Sequence, residues 1–376
     1  MTATNSLEPV PWSSVPATLF QERSTRSWAE ALERSALYYR RLPPGQLFHF
    51  GASTRTAAAM AKACSELADV ARSEDGERLQ AVLQQRFRLF RAVGNNEGDV
   101  MVTAYYEPLL RGSLRRSNRY FYPIYRRPSD LLESAADANG RRKIYRMEKG
   151  KSVPYYDRSQ IDGHILTSKQ PGKLAKRGLE LVWVDSAIDA FFLHIQGSGR
   201  VILENGQVMR LGYDGANGRS YVAIGKILID EGKIPKEEMT MPRLRQWLLD
   251  HPDENKRLMF ANPSYVFFRE LQGDAVGNIN VPLTADRSIA TDHRLFPKGA
   301  PAILATTAPV FAGDGKTVTG WQPDLRWVVN QDTGGAIRGA GRVDLFTGFG
   351  ENMEYRAGVM KQANSQLYFI APAEQP

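Results

Sequence analysis

Three stretches near the start of the chain bring apolar residues back at spacings of three and four. They are WAEALERSALYYRRL from Trp28, TRTAAAMAKACSELADVARS from Thr54 and GERLQAVLQQRFRLFRAVG from Gly76. That spacing lays one apolar stripe along a helix, so residues 25–100 read as three consecutive helices. Ahead of them, Pro9, Pro11 and Pro16 mark the first twenty residues as an extended arm. From Asp99 the pattern shifts to alternation, with many β-branched and aromatic residues. VMVTAYYEPLLRGS, YFYPIYRRP, LELVWVDSAIDAFFLHI, RVILENGQVMRLGY and NPSYVFFREL all read as strands. Asn205-Gly206 between two such runs is a hairpin signal. YVAIGKILIDEGKI and MPRLRQWLLDHPDE read as short helices, and PAILATTAPVF, RWVVNQDTGG and QLYFIAP return to strands. The texture breaks near Pro108 and again between Gly273 and Gly277. The pattern predicts a mainly β chain with N-terminal helices, divided at those two points.

Composition narrows the class. The 376 residues are 42% hydrophobic and 24% charged, which excludes a largely disordered chain. No run approaches the ~18 apolar residues of a membrane span. Forty-nine Lys and Arg against 41 Asp and Glu give a net charge of +8. That favours anionic partners without choosing among nucleic acid, anionic lipid and acidic wall polymer. Cys64 is the lone cysteine, so no intramolecular disulfide forms, and its Ala-rich helical setting makes it a buried structural thiol. The N-terminus lacks the basic and apolar regions of a signal peptide. A cytosolic protein and the mature form of an exported one both fit.

Several familiar motifs are incomplete or absent. Gly197-Ser198-Gly199 lacks the Lys-Ser/Thr of a phosphate loop and reads as a tight turn after a strand, exposing Gln196 and Ser198 where a ligand could approach the backbone. His164, His194, His251 and His293 are scattered, with no metal-ligand spacing and no Cys-His cluster. No G-x-S-x-G elbow supports Ser-His-Asp catalysis. No nucleic-acid motif accompanies the charge.

The carboxylates of the last third carry more. Asp292, Asp332 and Asp344 sit in SIATDHRLFPKG, VVNQDTGGAIRG and GRVDLFTG. Asp332 closes an apolar strand before Gly334-Gly335, and Asp344 lies in what reads as the next strand, between Val343 and Leu345. A carboxyl on a strand with apolar neighbours loses solvation, which favours its protonated form. A protonated carboxyl is what general-acid cleavage of a glycosidic bond requires. Asp344 is therefore the leading acid, whereas Asp292 and Asp332 serve equally well as turn-holding residues. Thr103, Tyr105 and Tyr106 open the first β-region, where tyrosines could face a sugar or simply be half buried.

TAYYEP, HIQGSG, VPLTADRSIATDHRLFPKGAP and QDTGGAIRGAGRVDLF, in that order from residue 100 onward, resemble the membrane-bound lytic murein transglycosylase A family with its three-aspartate domain. The resemblance implies two domains separated by a substrate groove. The larger, 1–107 with 273–376, would join the N-terminal helices to a double-psi β-barrel and hold the catalytic centre. The smaller, 108–272, would be a β-rich insertion forming the other groove wall. The implied activity cuts the β-1,4 bond between N-acetylmuramic acid and N-acetylglucosamine of peptidoglycan without water, leaving a 1,6-anhydromuramoyl end. Asp344 falls on the family's catalytic acid, Asp332 on a supporting aspartate, and Thr103, Tyr105, Gln196 and Ser198 on groove-lining motifs. The role of Asp292 stays open. No cofactor or metal is implied. The implied partners are peptidoglycan strands and other cell-wall synthesis or turnover proteins, and the expected state is a monomer in the periplasm.

The chain departs from the family in two places. Ala104 stands where glycine is usual, and no anchoring cysteine occupies the N-terminus, so outer-membrane attachment is left open. The rival reading is a non-catalytic polysaccharide-binding protein, since double-psi barrels also resemble wall-loosening proteins. An aspartyl protease would need two D-T/S-G loops, and only Asp332-Thr333-Gly334 fits.

Overall fold

The computed structural model describes residues 1–21, 25–95, 98–135, 142–167, 172–273, 276–335, 337–350 and 352–374. The chain forms two compact units, one of residues 1–106 with 276–376, the other of residues 107–275. We call them the barrel unit and the inserted unit.

The barrel unit begins with β1 (Leu7–Val10), set among 3-10 turns at Ala3–Asn5, Trp12–Ser14 and Ala17–Gln21. The prolines thus break the arm into turns instead of keeping it extended throughout. Helix α1 (Arg26–Arg40) follows, then the hairpin β2 (Leu47–Phe50) and β3 (Ser53–Thr56), then α2 (Ala57–Arg72) and α3 (Gly76–Arg86). Thr56 and Asp75 cap the two later helices, accepting from the N–H groups of Ala59 at 3.2 Å and Arg78 at 3.0 Å. The third predicted helix is shorter than expected, because RFRLFRA forms β4 (Phe87–Ala92). There Phe87 and Leu89 are buried while Arg88 is exposed, a period of two that overrides the helical spacing before it. β5 (Val100–Glu107) completes this half. Cys64 has no accessible surface, and burial pushes its thiol up to about 12.

The inserted unit contains β6 (Leu109–Ser113), β7 (Tyr122–Tyr125), β8 (Leu132–Glu133), β9 (Ile144–Glu148) and β10 (Lys151–Pro154). Then come α4 (Arg158–Thr167), β11 (Glu180–Val184), α5 (Ala187–Gln196), β12 (Ser198–Leu203) and β13 (Val208–Ala216). It ends with α6 (Ile224–Asp230), α7 (Met241–Asp250), α8 (Pro252–Ala261) and β14 (Val266–Leu271). One sheet runs β14-β13-β12-β6-β11-β7 and a smaller one β10-β9-β8. The expected Asn205-Gly206 hairpin joins antiparallel β12 and β13. The run LELVWVDSAIDAFFLHI is only half strand. Ser186 accepts from the Asp189 N–H at 3.1 Å and starts α5, which buries Ile188, Phe191 and Phe192 on one side.

Back in the barrel unit, β15 (Ser288–Ala290), β16 (Pro301–Phe311), β17 (Val318–Asp332), β18 (Arg342–Phe349), α9 (Met353–Gly358) and β19 (Lys361–Pro372) finish the chain. The order β19-β16-β17-β15-β18-β5 closes on itself through pairing of β5 with β19, a six-stranded ring. This is the barrel the resemblance implied, and its short β15 runs parallel to β17 and antiparallel to β18. β4 and then β1 extend the sheet beyond β19. Helix α1 seals one flank: Trp28 stacks on Trp327 at 4.6 Å and donates its indole N–H to the Val328 carbonyl at 3.3 Å. Closure removes free edges and fixes the register of each strand, and through it the level of each side chain around the ring.

Candidate active site

Two aspartates reach the same level of the barrel by register. Ala290 on β15 pairs with Asp344 of β18 on one side and Asp332 of β17 on the other. The two carboxylate-bearing positions thus stand two strands apart, on the order of 10 Å between backbones at ordinary strand spacing. Alternation sends their neighbours inward: Val343 and Leu345 join the core, and the fully buried Gln331 donates to the Ala31 carbonyl at 2.8 Å. Alternation therefore turns the Asp344 carboxyl away from its apolar neighbours, so its desolvation comes from the rest of the site and not from Val343 and Leu345 as the sequence pattern suggested.

β5 lies beside β18 and supplies the partners. The Thr103 hydroxyl donates to Asp344 Oδ1 at 2.7 Å, and the Tyr105 hydroxyl donates to Asp332 Oδ2 at 2.7 Å. The Asn278 N–H adds a second donor to Asp332 at 3.0 Å. The Tyr105 ring rests against Phe346 at 5.2 Å, and the Thr347 hydroxyl donates to the Tyr105 carbonyl at 3.0 Å, so the tyrosine is held from two directions. Arg342, two residues before Asp344 on the same face of β18, donates to Thr103 Oγ1 at 3.3 Å.

Burial pushes the Asp344 carboxyl up to about 6, the nearby Asp332 adding to the rise while the Thr103 hydroxyl and the Arg342 cation oppose it. Asp332 is also raised, again by burial, with its bonds from Tyr105, Thr333 and Asn278 opposing. Asp292 is different. It has no accessible surface, whereas Asp332 and Asp344 keep part of theirs, and burial alone would raise it, but bonds from the Arg294 guanidinium and the Gly339 and Arg294 N–H groups hold it well below the ordinary carboxylate range. Those bonds run from Arg294 Nε at 2.9 Å, Arg294 Nη2 at 2.7 Å and Gly339 N at 2.9 Å. Asp292 is thus an ionised brace between two loops.

Gln196 and Ser198 belong to the inserted unit. Gln196 ends α5, Gly197 takes the left-handed conformation at φ 78°, and Ser198 begins β12. The turn follows a helix, not the strand expected, because the segment before it is α5. A Cβ on Gly199 would stand 2.4 Å from Leu193 Cδ1 and 3.1 Å from the Pro108 carbonyl oxygen, so only glycine lets β12 start here. The buried Arg200 clasps Glu107, with Nε and Nη2 each 3.1 Å from one carboxylate oxygen, and donates its N–H to the Pro108 carbonyl at 2.9 Å.

The histidines take separate roles. His194 is buried against Tyr265, with ring centroids 4.2 Å apart, and burial together with Arg158 keeps it well below its usual value. His251 holds the Trp247 carbonyl at 2.8 Å, and His293 meets Thr333 at 3.3 Å. The side chain of His164 lies outside the described residues. Among the described residues no group of three or more His, Cys, Asp or Glu is placed to hold a metal. Sequence reasoning passed over Arg342 and Asn278. The first was open to the same strand alternation that singled out Asp344; the second acts through its backbone from 54 residues away and had no signal.

The sequence matches the family model described as MltA specific insert domain over residues 101–269, and the 3D domain over residues 287–370. Membrane-bound lytic murein transglycosylase A of Escherichia coli K12 is 32% identical over 267 residues, 70% of this chain. Lytic transglycosylase LtgG of Burkholderia pseudomallei is 34% identical in structural alignment, covering 100% of this chain and 97% of that one, at a TM-score of 0.59. The chain belongs to the lytic murein transglycosylase A family. A membrane-bound lytic murein transglycosylase from Agrobacterium tumefaciens has the same fold, with a TM-score of 0.78, 29% identity and 98% of both chains covered. The aligned region spans 64% of the length of the E. coli relative. The insert-domain match coincides largely with the inserted unit, and the 3D match runs through the last five barrel strands.

Proposed function

We propose that this protein is a lytic transglycosylase that cleaves the β-1,4 bond between N-acetylmuramic acid and N-acetylglucosamine in peptidoglycan. The observation that carries the reading is the Asp344 carboxyl, raised to about 6 and aimed by a 2.7 Å bond from Thr103. Such a group is protonated over part of the physiological range and ionised over the rest, as one residue acting first as acid and then as base must be.

In the first step protonated Asp344 gives its proton to the glycosidic oxygen as the bond to the muramoyl C1 breaks. The sugar becomes an oxocarbenium ion and the N-acetylglucosamine leaves with a free 4-hydroxyl. The Asp344 carboxylate then takes the proton of the muramoyl C6 hydroxyl while O6 bonds to C1, closing the anhydro ring and restoring the acid. No water is consumed. Hydrolytic glycosidases commonly use two carboxyls, one to activate water or attack C1. Here an internal hydroxyl does that work, and Asp332, tied up by Tyr105 and Asn278, acts as a support that also keeps Asp344 protonated. Thr103 and Tyr105, with Gln196 and Ser198 of the inserted unit, are assigned to holding the glycan. The substrate places the protein in the periplasm. Among the described residues no helix is long and apolar enough to cross a membrane.

The test is mass spectrometry of the fragments released from purified murein sacculi. Fragments lighter by one water than hydrolysis products, and absent with Asp344→Asn, are expected. Reducing-end fragments would make the protein a hydrolase and overturn the one-carboxyl scheme.

A further inference from the structure

The charge of the chain is unevenly divided. The inserted unit carries 28 Lys and Arg against 21 Asp and Glu, the barrel unit 21 against 20, so nearly all of the excess lies in the insertion. Within it, residues 107–130 hold six arginines and no lysine. Three of them, Arg115, Arg116 and Arg119, lie in the β6–β7 loop, where residues 114–119 are exposed without interruption.

This loop is built, not slack. The Arg115 N–H donates to Ser113 Oγ at 3.2 Å, the Ser117 N–H to the Tyr120 carbonyl at 2.9 Å, and the Tyr120 N–H to Ser117 Oγ at 3.1 Å. The buried Tyr120 pins its base. Two guanidinium carbons lie over rings: that of Arg116 is 5.8 Å from the Trp183 ring centre and that of Arg119 5.1 Å from that of Tyr120. Asp185 offsets Arg119 only loosely, at 3.7 Å. A cation–π contact restricts a guanidinium without using up its N–H donors, which lowers the entropy lost when they grip a planar anion. A diffuse negative surface needs only point charges, which lysine supplies equally well. A loop whose cations are all arginine, two of them held over rings, suits discrete carboxylates gripped by two parallel hydrogen bonds.

We propose that the β6–β7 loop is a carboxylate-holding surface for the acidic peptide stems of murein. The proposal rests on the substrate reading above, since those stems are what its glycan carries. Through this loop the enzyme favours stem-bearing strands over bare glycan.

The test compares the unaltered loop with an Arg115→Ser, Arg116→Ser, Arg119→Ser variant. Binding is measured by co-sedimentation in the Asp344→Asn background, so that the sacculi persist, and turnover in the otherwise wild-type chain on stem-free glycan. On intact sacculi the triple variant is expected to bind at least five-fold more weakly. On stem-free glycan strands released by an amidase and coupled to beads the two should bind alike, and turnover of stem-free glycan should be unchanged. Equal binding to intact sacculi, or an equal loss on the bead-bound stem-free strands, would overturn the proposal. So would a loss confined to vesicles of phosphatidylglycerol and phosphatidylcholine, which would assign the loop to a membrane surface. If the wild-type chain releases no anhydro fragments at all, it is the substrate reading that fails.

Discussion

Asp344 and Asp292 sit in one unit, the first partly and the second wholly withdrawn from water, and their environments drive them in opposite directions. Asp292 is met by a guanidinium and two backbone N–H groups, and stays ionised. Asp344 receives one hydroxyl and has a second carboxylate nearby, and is pushed up to about 6. Burial alone does not make a catalytic acid. What decides is whether the donors that burial demands are supplied, and the barrel supplies them fully to the aspartate that braces loops and sparingly to the one that does chemistry.

The comparison has a sign that can be checked. A raised folded-state value means that the native state binds more protons than the unfolded chain between about pH 4 and 6. Asp344 therefore favours folding in acid and costs stability as pH rises through 6. Asp292 does the reverse: its contribution is complete above about pH 4 and is lost below it.

The largest expected effect follows from Asp344→Asn. Turnover should fall by about 10³ or more, while thermal stability at pH 8 rises by up to about 3 kcal/mol and barely changes at pH 4. Undiminished turnover in a sacculus assay would remove Asp344 from its role. Asp292→Asn should do the opposite, costing about 2–3 kcal/mol at neutral pH in denaturant melts as the Arg294 and Gly339 bonds weaken. A variant as stable as wild type would show that the brace is dispensable. Tyr105→Phe leaves Asp332 with one donor fewer, and kcat should drop roughly ten-fold with little change in melting temperature. Smallest is Arg342→Gln. Losing that cation beside Thr103 should raise Asp344 further and move the alkaline limb of kcat/KM upward by about half a pH unit. A limb that stays in place would show that Arg342 does not reach Asp344 electrostatically.

How much of this was legible beforehand varies with the range of the interaction. Helices α1 and α2, the Asn205-Gly206 hairpin and most strands follow from local periodicity. β4 escaped because RFRLFRAVG prolongs a helical spacing, and only pairing with β1 and β19 makes it a strand. α5 was masked by the aromatic and β-branched residues around it, although Ser186 marked its start. Asp344 ranks first on its apolar neighbours Val343 and Leu345, but alternation puts those on the opposite face of β18, so the ranking does not rest on the groups that surround the carboxyl. The opposite states of Asp292 and Asp344 were not legible, since they depend on Gly339, 47 residues from Asp292, and on Thr103, 241 residues from Asp344.

The account's central claim is that Asp344 is held protonated well above the ordinary range of an aspartate. Carboxyl ¹³C titration of aspartate-labelled protein, with the Asp344→Asn spectrum subtracted to assign the resonance, measures it without substrate. A midpoint near pH 6 is the expected result. A midpoint at or below pH 4 would mean an ionised carboxylate at working pH, and the single-residue acid-then-base scheme would be contradicted.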